Sequence, residues 1–267
     1  MNVALLRHLL RQNRVRLLVI VAGLVVWGML MPIIYATFGV TLRDIIVQFP
    51  VLEQFMQFGG GNMFTLPGSV GLGYIHPIAI ALLAVFAIAF PLSGVAGERQ
   101  RGTLEVVLSR PVSRPSYYLT LLVAATLFIG LAVAATLVGT VIASAALDVL
   151  AELGVENLPA LWLNGTLLYF SIAAISLAAS VSFDRLAPAA SLTLAIVVVS
   201  YFLQVLGSLW PDADWLQPYS LFYYLKPEQT LVEGVQLTDL AVLAVVSALA
   251  IAYALFVFPR RDLAAPA

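Results

Sequence analysis

The chain has 267 residues, of which 62% are hydrophobic and only 10% are charged. Soluble domains are about 45–50% apolar and about 25% charged, so this composition is typical of a polytopic membrane protein. A net charge of -1 argues against a nucleic-acid partner, and the absence of cysteine excludes disulfides and Cys-based metal sites. The two histidines, His8 and His76, lie far apart, which disfavours a His-built metal or catalytic centre.

Six apolar stretches are long enough to form membrane helices, which need about 20 residues to cross about 30 Å of hydrocarbon. No stretch carries a charged residue in its middle. Ion-coupled carriers use such intramembrane charges, so this class is disfavoured. We therefore predict an all-α polytopic membrane protein, a single transmembrane domain over residues 1–267. Its six spans are predicted at residues 17–38, 74–96, 118–147, 160–183, 187–210 and 237–258.

The distribution of lysine and arginine predicts the orientation of these spans, because cytoplasmic loops carry an excess of both. With the N-terminus in the cytoplasm, only Arg43 and Lys226 of the 13 basic residues lie outside. We therefore predict a multi-pass protein of the cell membrane with both termini cytoplasmic. The basic residues placed inside are Arg7, Arg11, Arg14, Arg16, Arg99, Arg101, Arg110, Arg114, Arg185, Arg260 and Arg261.

The first 16 residues alternate apolar and basic side chains at roughly helical spacing. This pattern predicts an amphipathic interfacial helix whose arginines face the phosphates of membrane lipid. The alternative is a basic anchor that only orients the first span. The residues concerned are Val3, Leu5, Leu6, Leu9 and Leu10 on the apolar side and Arg7, Arg11 and Arg14 on the basic side.

Three further features of the sequence give structural expectations. The outer loop 39–73 contains apolar residues over Thr41–Phe58, which predict two short surface helices that form either an outer gate or a peripheral seal. Pro91 is expected to kink the second span, because proline removes a backbone hydrogen bond. The aromatic loop 211–236 predicts a short outer helix or re-entrant corner.

One polar side chain, Gln204, lies deep in the fifth predicted span. It either lines a transport pathway or makes a hydrogen bond between helices. The only lysine, Lys226, is predicted to lie outside, so the sequence contains no phosphate-binding loop of the Walker type. The shortage of histidine and of acidic residues within the spans also argues against most catalytic mechanisms of intramembrane proteases. We expect no catalytic residues, no metal and no cofactor in this chain.

The longest charged stretch, residues 97–115, separates the second and third predicted spans. It belongs to a loop that we call the 97–117 segment. Its spacing predicts a short helix that Thr103 caps, with one apolar face to dock into a cytoplasmic partner. The alternative is a solvated positive-inside loop. The apolar face consists of Leu104, Val107 and Leu108; Glu98, Arg99, Arg101 and Glu105 surround it, and Pro111 ends it.

At this stretch the sequence resembles the permease subunits of type-2 ABC exporters. The resemblance rests on Glu98, Arg101-Gly102-Thr103-Leu104, Leu108, Pro111 and Ser113-Arg114, and on the C-terminal Phe258-Pro259-Arg260-Arg261-Asp262-Leu263. Pro259 departs from the family pattern, and so does the absence of a lysine shortly after Ser113-Arg114. Six spans with inner termini and an extended outer loop before the second span agree with the same family.

This resemblance implies a permease that pairs with a second permease chain, identical or related, and with separate cytoplasmic ABC ATPase subunits. ATP and Mg would be bound by those ATPases. The 97–117 segment would be the coupling helix seated in the ATPase, and residues 1–16 the connecting helix. The residues implied in coupling are Glu98, Arg101, Gly102, Thr103, Leu104, Glu105, Val107, Leu108, Arg110 and Pro111.

Two functions follow as hypotheses. The first is a permease subunit of an ATP-driven exporter that moves an amphipathic or lipid-like substrate. The second is a non-transporting membrane anchor or mechanotransmitter that passes ATPase motion to an extracytoplasmic partner. Transport by the assembled complex would distinguish them.

Overall fold

The fold follows from six long apolar helices. The computed structural model describes residues 2–46, 62, 64–109 and 112–261. Within these ranges the chain is helical and contains no strand. By length and composition, six of its helices can cross a membrane. The predicted class, an all-α polytopic membrane protein, is confirmed.

The observed helices extend most of the predicted spans by a few residues. Span 1 belongs to a helix over Arg14–Ile46, which continues past the predicted end at residue 38. The surface helices predicted within Thr41–Phe58 otherwise lie outside the described residues. Spans 2 to 6 are Pro77–Gln100, Arg114–Ala146, Val155–Ser182, Leu186–Leu209 and Leu237–Arg260.

Span 2 begins three residues later than predicted. A separate helix, Leu66–Ile75, ends at His76, whose backbone is extended (φ -67°, ψ 140°). The residue before a proline is driven out of the helical region by the proline ring, and Pro77 follows here. His76 then caps the new helix by accepting a hydrogen bond from the amide of Ile78 at 3.2 Å.

Of the six spans, span 4 is the most enclosed and span 6 the most exposed. Spans 1 and 3 approach each other through glycines. An added Cβ on Gly28 would overlap the carbonyl oxygen of Thr136, and one on Gly139 would overlap that of Val25. Thr140 joins the same helices by donating to the carbonyl of Gly28 at 3.2 Å. Gly28 and Gly139 therefore allow the backbones of spans 1 and 3 to approach closely.

The N-terminal helix, Val3–Gln12, is amphipathic as predicted, but Val3, which was assigned to its apolar side, is 60% exposed. Its apolar side chains Leu5, Leu6, Leu9 and Leu10 pack against the core, while Arg7 and Arg11 are exposed. The amide of Asn2 donates to the hydroxyl of Thr120 at 2.9 Å, which fixes the helix to the start of span 3.

The first residues of spans 1, 3 and 5 and the last residues of spans 2, 4 and 6 share one end of the bundle. We call it the arginine-rich end, because Arg99, Arg114, Arg185 and Arg261 lie there. At the opposite end, the aromatic loop 211–236 was expected to form a short outer helix or a re-entrant corner. It contains short helices over Pro211–Tyr219, Phe222–Tyr224 and Pro227–Glu233. There Lys226 forms an ion pair with the buried Asp239 at 3.0 Å.

Candidate functional site at the arginine-rich end

The start of the 97–117 segment is a tight helical elbow. Span 2 ends when Gly102 adopts a left-handed backbone conformation with φ +70°. The amide of Thr103 then bonds to the carbonyl of Glu98 at 3.0 Å, and the amide of Gly102 to that of Arg99 at 2.9 Å. These two bonds define a Schellman cap, whose left-handed residue is usually glycine because it has no Cβ.

The carboxylate of Glu98 holds the elbow together from the side. It accepts hydrogen bonds from the guanidinium of Arg101 and from the hydroxyl of Thr103. Thr103 therefore bonds backwards to Glu98, and its side chain makes no cap to the helix that follows. The prediction that Thr103 caps this helix is wrong, because the carboxylate of Glu98 already binds its hydroxyl.

A five-residue helix, Leu104–Leu108, follows the elbow. The predicted apolar face does not project outward as a unit. Leu104 is only 1% exposed and packs into the core of this chain, with Val107 and Leu108 partly buried against the same core. The apolar side chain that projects is Val106, which is 65% exposed. Leu104 anchors the short helix, and Val106 and Glu105 form its outer surface.

The elbow is fixed to spans 4 and 6 through Asp184. Arg99 is 8% exposed, and its guanidinium lies 3.0 Å from one carboxylate oxygen of Asp184. Arg261, after span 6, binds the same oxygen at 2.6 Å and donates to the carbonyl of Val181 at 2.7 Å. A buried arginine needs a negative partner, which Asp184 supplies.

The elbow also contacts span 5. The side-chain oxygen of Gln100 accepts a hydrogen bond from the amide of Leu186, the first residue of span 5, at 2.8 Å. Span 5 has no side-chain cap from its own neighbouring residue, Arg185. The backbone amides at the start of a helix have no acceptor within that helix, and Gln100 supplies one for Leu186.

The far end of the segment meets the C-terminal motif. Ser113 caps span 3 by accepting a bond from the amide of Ser116 at 3.3 Å. Next to it, the guanidinium of Arg114 donates to the carbonyls of Phe258, Pro259 and Arg261 at 3.2, 3.1 and 2.7 Å. A cation is favoured there, because the last carbonyls of a helix carry partial negative charge. The two sequence motifs are thus in direct contact.

A groove of about 460 Å³ lies between the five-residue helix and the N-terminal helix. Its walls are formed by Asn2, Leu5 and His8 on one side and by Val106, Val107 and Val112 on the other. The residues that line the groove are mainly apolar, and Asn2 and His8 are the polar ones. Such a surface can receive an apolar side chain from another protein.

The structure brings most of the predicted coupling residues together. Glu98, Arg101, Gly102, Thr103, Leu104, Glu105, Val107 and Leu108 form the elbow and short helix, whereas Arg110 and Pro111 lie outside the described residues. Gln204 is separate, in the part of span 5 near the opposite end. It is 7% exposed, and its side-chain oxygen has no hydrogen-bond partner within the part of the chain that the structure describes.

The sequence interpretation missed Asp184, Gln100 and Arg114 as structural links. Asp184 lies in the short turn between spans 4 and 5. A usable signal was present, since a lone acid between two spans faces an excess of arginine at the same end. A fixed partner for it could therefore have been expected.

A family model for the multidrug efflux system permease Rv1217c, C-terminal domain, matches residues 6–259. The chain belongs to this family of efflux permeases. The match includes the N-terminal helix from residue 6, all six spans of the permease and the 97–117 segment. No curated protein matches the chain. The permease is accordingly a multi-pass membrane protein and a component of a transport system that has further components.

Proposed function

We propose that this permease is the membrane subunit of an ATP-driven efflux transporter of the ABC type. The observation that carries the proposal is the elbow at Gly102, which presents Val106 at the arginine-rich end. At its base, Arg99 and Gln100 bind the ends of spans 4 and 5. A force applied to the short helix would therefore reach several spans.

The proposed partner is a cytoplasmic ABC ATPase that binds ATP and Mg. Val106 and the groove beside the N-terminal helix would receive it. The permease would itself be no enzyme and would hold no cofactor. A second permease chain, identical or related, would complete the transport path, and both termini would be cytoplasmic in the cell membrane.

The substrate class that we propose is amphipathic and drug-like. The support comes from the family description, a multidrug efflux system, and from the uncharged interior of the spans. An interior without fixed charges offers dispersion and hydrogen bonding rather than ion pairing. These interactions suit several lipophilic molecules and select none of them strongly.

The test measures ATP-dependent uptake of a fluorescent amphipathic dye by inside-out vesicles that contain the permease with its co-expressed ATPase. Uptake that requires ATP supports the proposal. ATPase binding without any transport would instead support the membrane anchor or mechanotransmitter, and uptake without an ATPase would overturn both.

A first prediction concerns the surface that meets the ATPase. Val106→Asp places a charge on the exposed apolar tip, where docking would bury it without a partner. We expect ATP-dependent dye uptake to fall by roughly tenfold or more, which corresponds to about 1.4 kcal/mol of lost interaction. The amount of folded permease in the membrane should not change.

The matched control is Val155→Asp, the same substitution at a 43% exposed valine of the opposite end. It should retain uptake and ATPase binding. Leu104 is unsuitable for this experiment, since a charge there would disrupt the core of the permease itself. Equal uptake by the Val106 and Val155 variants would contradict the proposed docking surface.

A further inference from the structure

Span 2 is interrupted by two turns of π-helix immediately before the elbow. They cover Val85–Ala89 and Ser93–Gly97, with Pro91 in the α-helical turn between them. In a π turn the amide bonds to the carbonyl five residues back, as Phe90 does to Val85 and Glu98 to Ser93. Such turns are rare and mark places where a helix departs from its regular ladder, often at functional sites.

The first interruption follows from Pro91, the residue expected to kink span 2. Proline has no N–H, so the carbonyl of Ala87, four residues earlier, loses its α-helical donor. The hydroxyl of Ser176, in span 4, donates to this carbonyl at 2.8 Å. It also lies 2.7 Å from the carbonyl of Ile172 in its own helix, so its single proton is shared between the two.

The second interruption has a different cause. Ala96 is four residues after Leu92, so in a regular α-helix its amide would donate to the carbonyl of Leu92. Instead, the amide of Ala96 donates to the hydroxyl of Ser180 at 2.8 Å, and that hydroxyl donates to the carbonyl of Leu92 at 3.1 Å. Ser180 is fully buried, and its hydroxyl makes two hydrogen bonds to span 2 in place of one direct backbone bond between Ala96 and Leu92.

A third side chain stabilises the open turn. Glu98 bonds back to Ser93 and Val95, so Gly94 lacks its α-helical donor. The hydroxyl of Tyr117, in span 3, donates to the carbonyl of Gly94 at 2.6 Å. The turn that ends at Gly97 is therefore held open by side chains of two neighbouring spans.

Ser176, Ser180 and Asp184 follow at four-residue spacing along span 4 and the turn after it, so they face span 2 in one row. Ser176 and Ser180 bond to the backbone of span 2, and Asp184 binds Arg99 at the elbow. A displacement of the elbow relative to span 4 must therefore be absorbed in the last part of span 2. The turn that contains Ala96 lies directly before Arg99, and its hydrogen bonds run through a side chain of span 4.

We propose that the end of span 2 is a hinge, and that Ser180 is the positioning residue that sets its state. With the hydroxyl of Ser180 inserted, the turn is π-helical. When the hydroxyl withdraws, Ala96 bonds directly to Leu92 and the turn closes as an α-helix. Closing it changes the rotation of Arg99, Gln100 and the short helix about the axis of span 2, and this moves Val106 relative to spans 4 and 6.

Replacing each serine by alanine should affect the stability of the protein differently. In Ser180→Ala the two freed groups, Ala96 N–H and Leu92 C=O, can satisfy each other, so folding should be retained. In Ser176→Ala the carbonyl of Ala87 loses the hydroxyl that stands in for the N–H that Pro91 lacks. We therefore expect a lower thermal unfolding temperature for Ser176→Ala and an unchanged one for Ser180→Ala.

The experiment uses the purified full chain, which has no cysteine of its own, with spin labels at Glu105→Cys and Arg260→Cys. Both positions are exposed, on the short helix and at the end of span 6. We expect Ser180→Ala to shift the mean distance between the labels and to slow hydrogen exchange over residues 92–98 by roughly 2- to 10-fold. The control Ser182→Ala removes another hydroxyl of span 4 and should change neither.

Three results would overturn the hinge. One is a label distance in Ser180→Ala equal to that in Ser182→Ala, and another is unchanged exchange over residues 92–98. The third is a Ser180→Ala protein that fails to fold, because its freed groups would then not have formed the direct bond. These measurements require no ATPase and stand apart from the proposed transport function.

The role of the hinge in transport rests on the proposed function. In the vesicle assay, Ser180→Ala should increase the ATP hydrolysed per dye molecule exported, whereas Ser182→Ala should not. An unchanged ratio together with a shifted label distance would overturn this role. Loss of ATP-dependent uptake in the unmodified complex would overturn the proposed function itself.

Discussion

Gly102 is the residue on which the shape of the 97–117 segment depends most directly. Its φ of +70° lies in the left-handed region, and an added Cβ would meet no atom of the described residues within 4 Å. The requirement for glycine is therefore conformational rather than steric. L-residues in the left-handed helical conformation cost about 1–2 kcal/mol, except that asparagine tolerates it better than most.

These properties give a ranked prediction for Gly102. Gly102→Ala should destabilise the elbow by about 1–2 kcal/mol, and Gly102→Asn by less. Hydrogen exchange over residues 98–104 should accordingly be fastest in the alanine variant, intermediate in the asparagine variant and slowest in the unmodified protein. Equal exchange in the alanine and asparagine variants would show that the turn does not depend on backbone conformation.

Spans 1 and 3 pack closely because the glycines at their contact have no side chain. Gly28 faces the backbone of span 3, where an added methyl group would overlap the carbonyl oxygen of Thr136. Gly23 lies in the same helix as Gly28. Among the described residues, an added Cβ there would meet the side chain of Leu82 at an ordinary distance of 3.8 Å. Glycine is therefore required at one position of this helix and replaceable at the other.

Alanine substitutions at these two glycines should have opposite effects. Gly28→Ala forces the helices apart and should destabilise the protein by about 1–3 kcal/mol. Gly23→Ala improves helix propensity without a clash and should stabilise it by up to about 1 kcal/mol. Thermal unfolding in detergent micelles measures both, and a loss of stability in the Gly23 variant would contradict the packing described.

The sequence predicted the helices better than the contacts between them. Each span follows from a run of apolar residues, and that property is local. Beyond a kink at Pro91, the π-helical turns of span 2 were not predicted, because the second turn depends on Ser180 of another helix. The burial of Leu104 was missed for the same reason, since a helical face does not reveal which neighbour covers it.

In the whole molecule, the two segments that carry the family resemblance meet although they are far apart in sequence. Arg114 binds the last carbonyls of span 6, and Arg261 binds Asp184, which in turn holds Arg99. Spans 2, 3, 4 and 6 are thereby joined at one end by arginines. Their charges could be counted in the sequence, but their pairing depends on the bundle.

The same arginines predict the orientation of the whole molecule in the membrane. Arg185 is exposed at the arginine-rich end, and Trp215 is exposed at the opposite end. Since positively charged loops stay in the cytoplasm, Arg185 should face the cytoplasm and Trp215 the outside. The chain contains no cysteine, so a single thiol can be introduced at either position without background labelling.

A membrane-impermeant maleimide should therefore label Trp215→Cys in intact cells. Arg185→Cys should react only after the membrane is permeabilised, which also serves as the control that its thiol is accessible. The reverse pattern would place the elbow and Val106 outside the cell. ATP-driven coupling at this surface would then be ruled out, because the proposed ATPase is cytoplasmic.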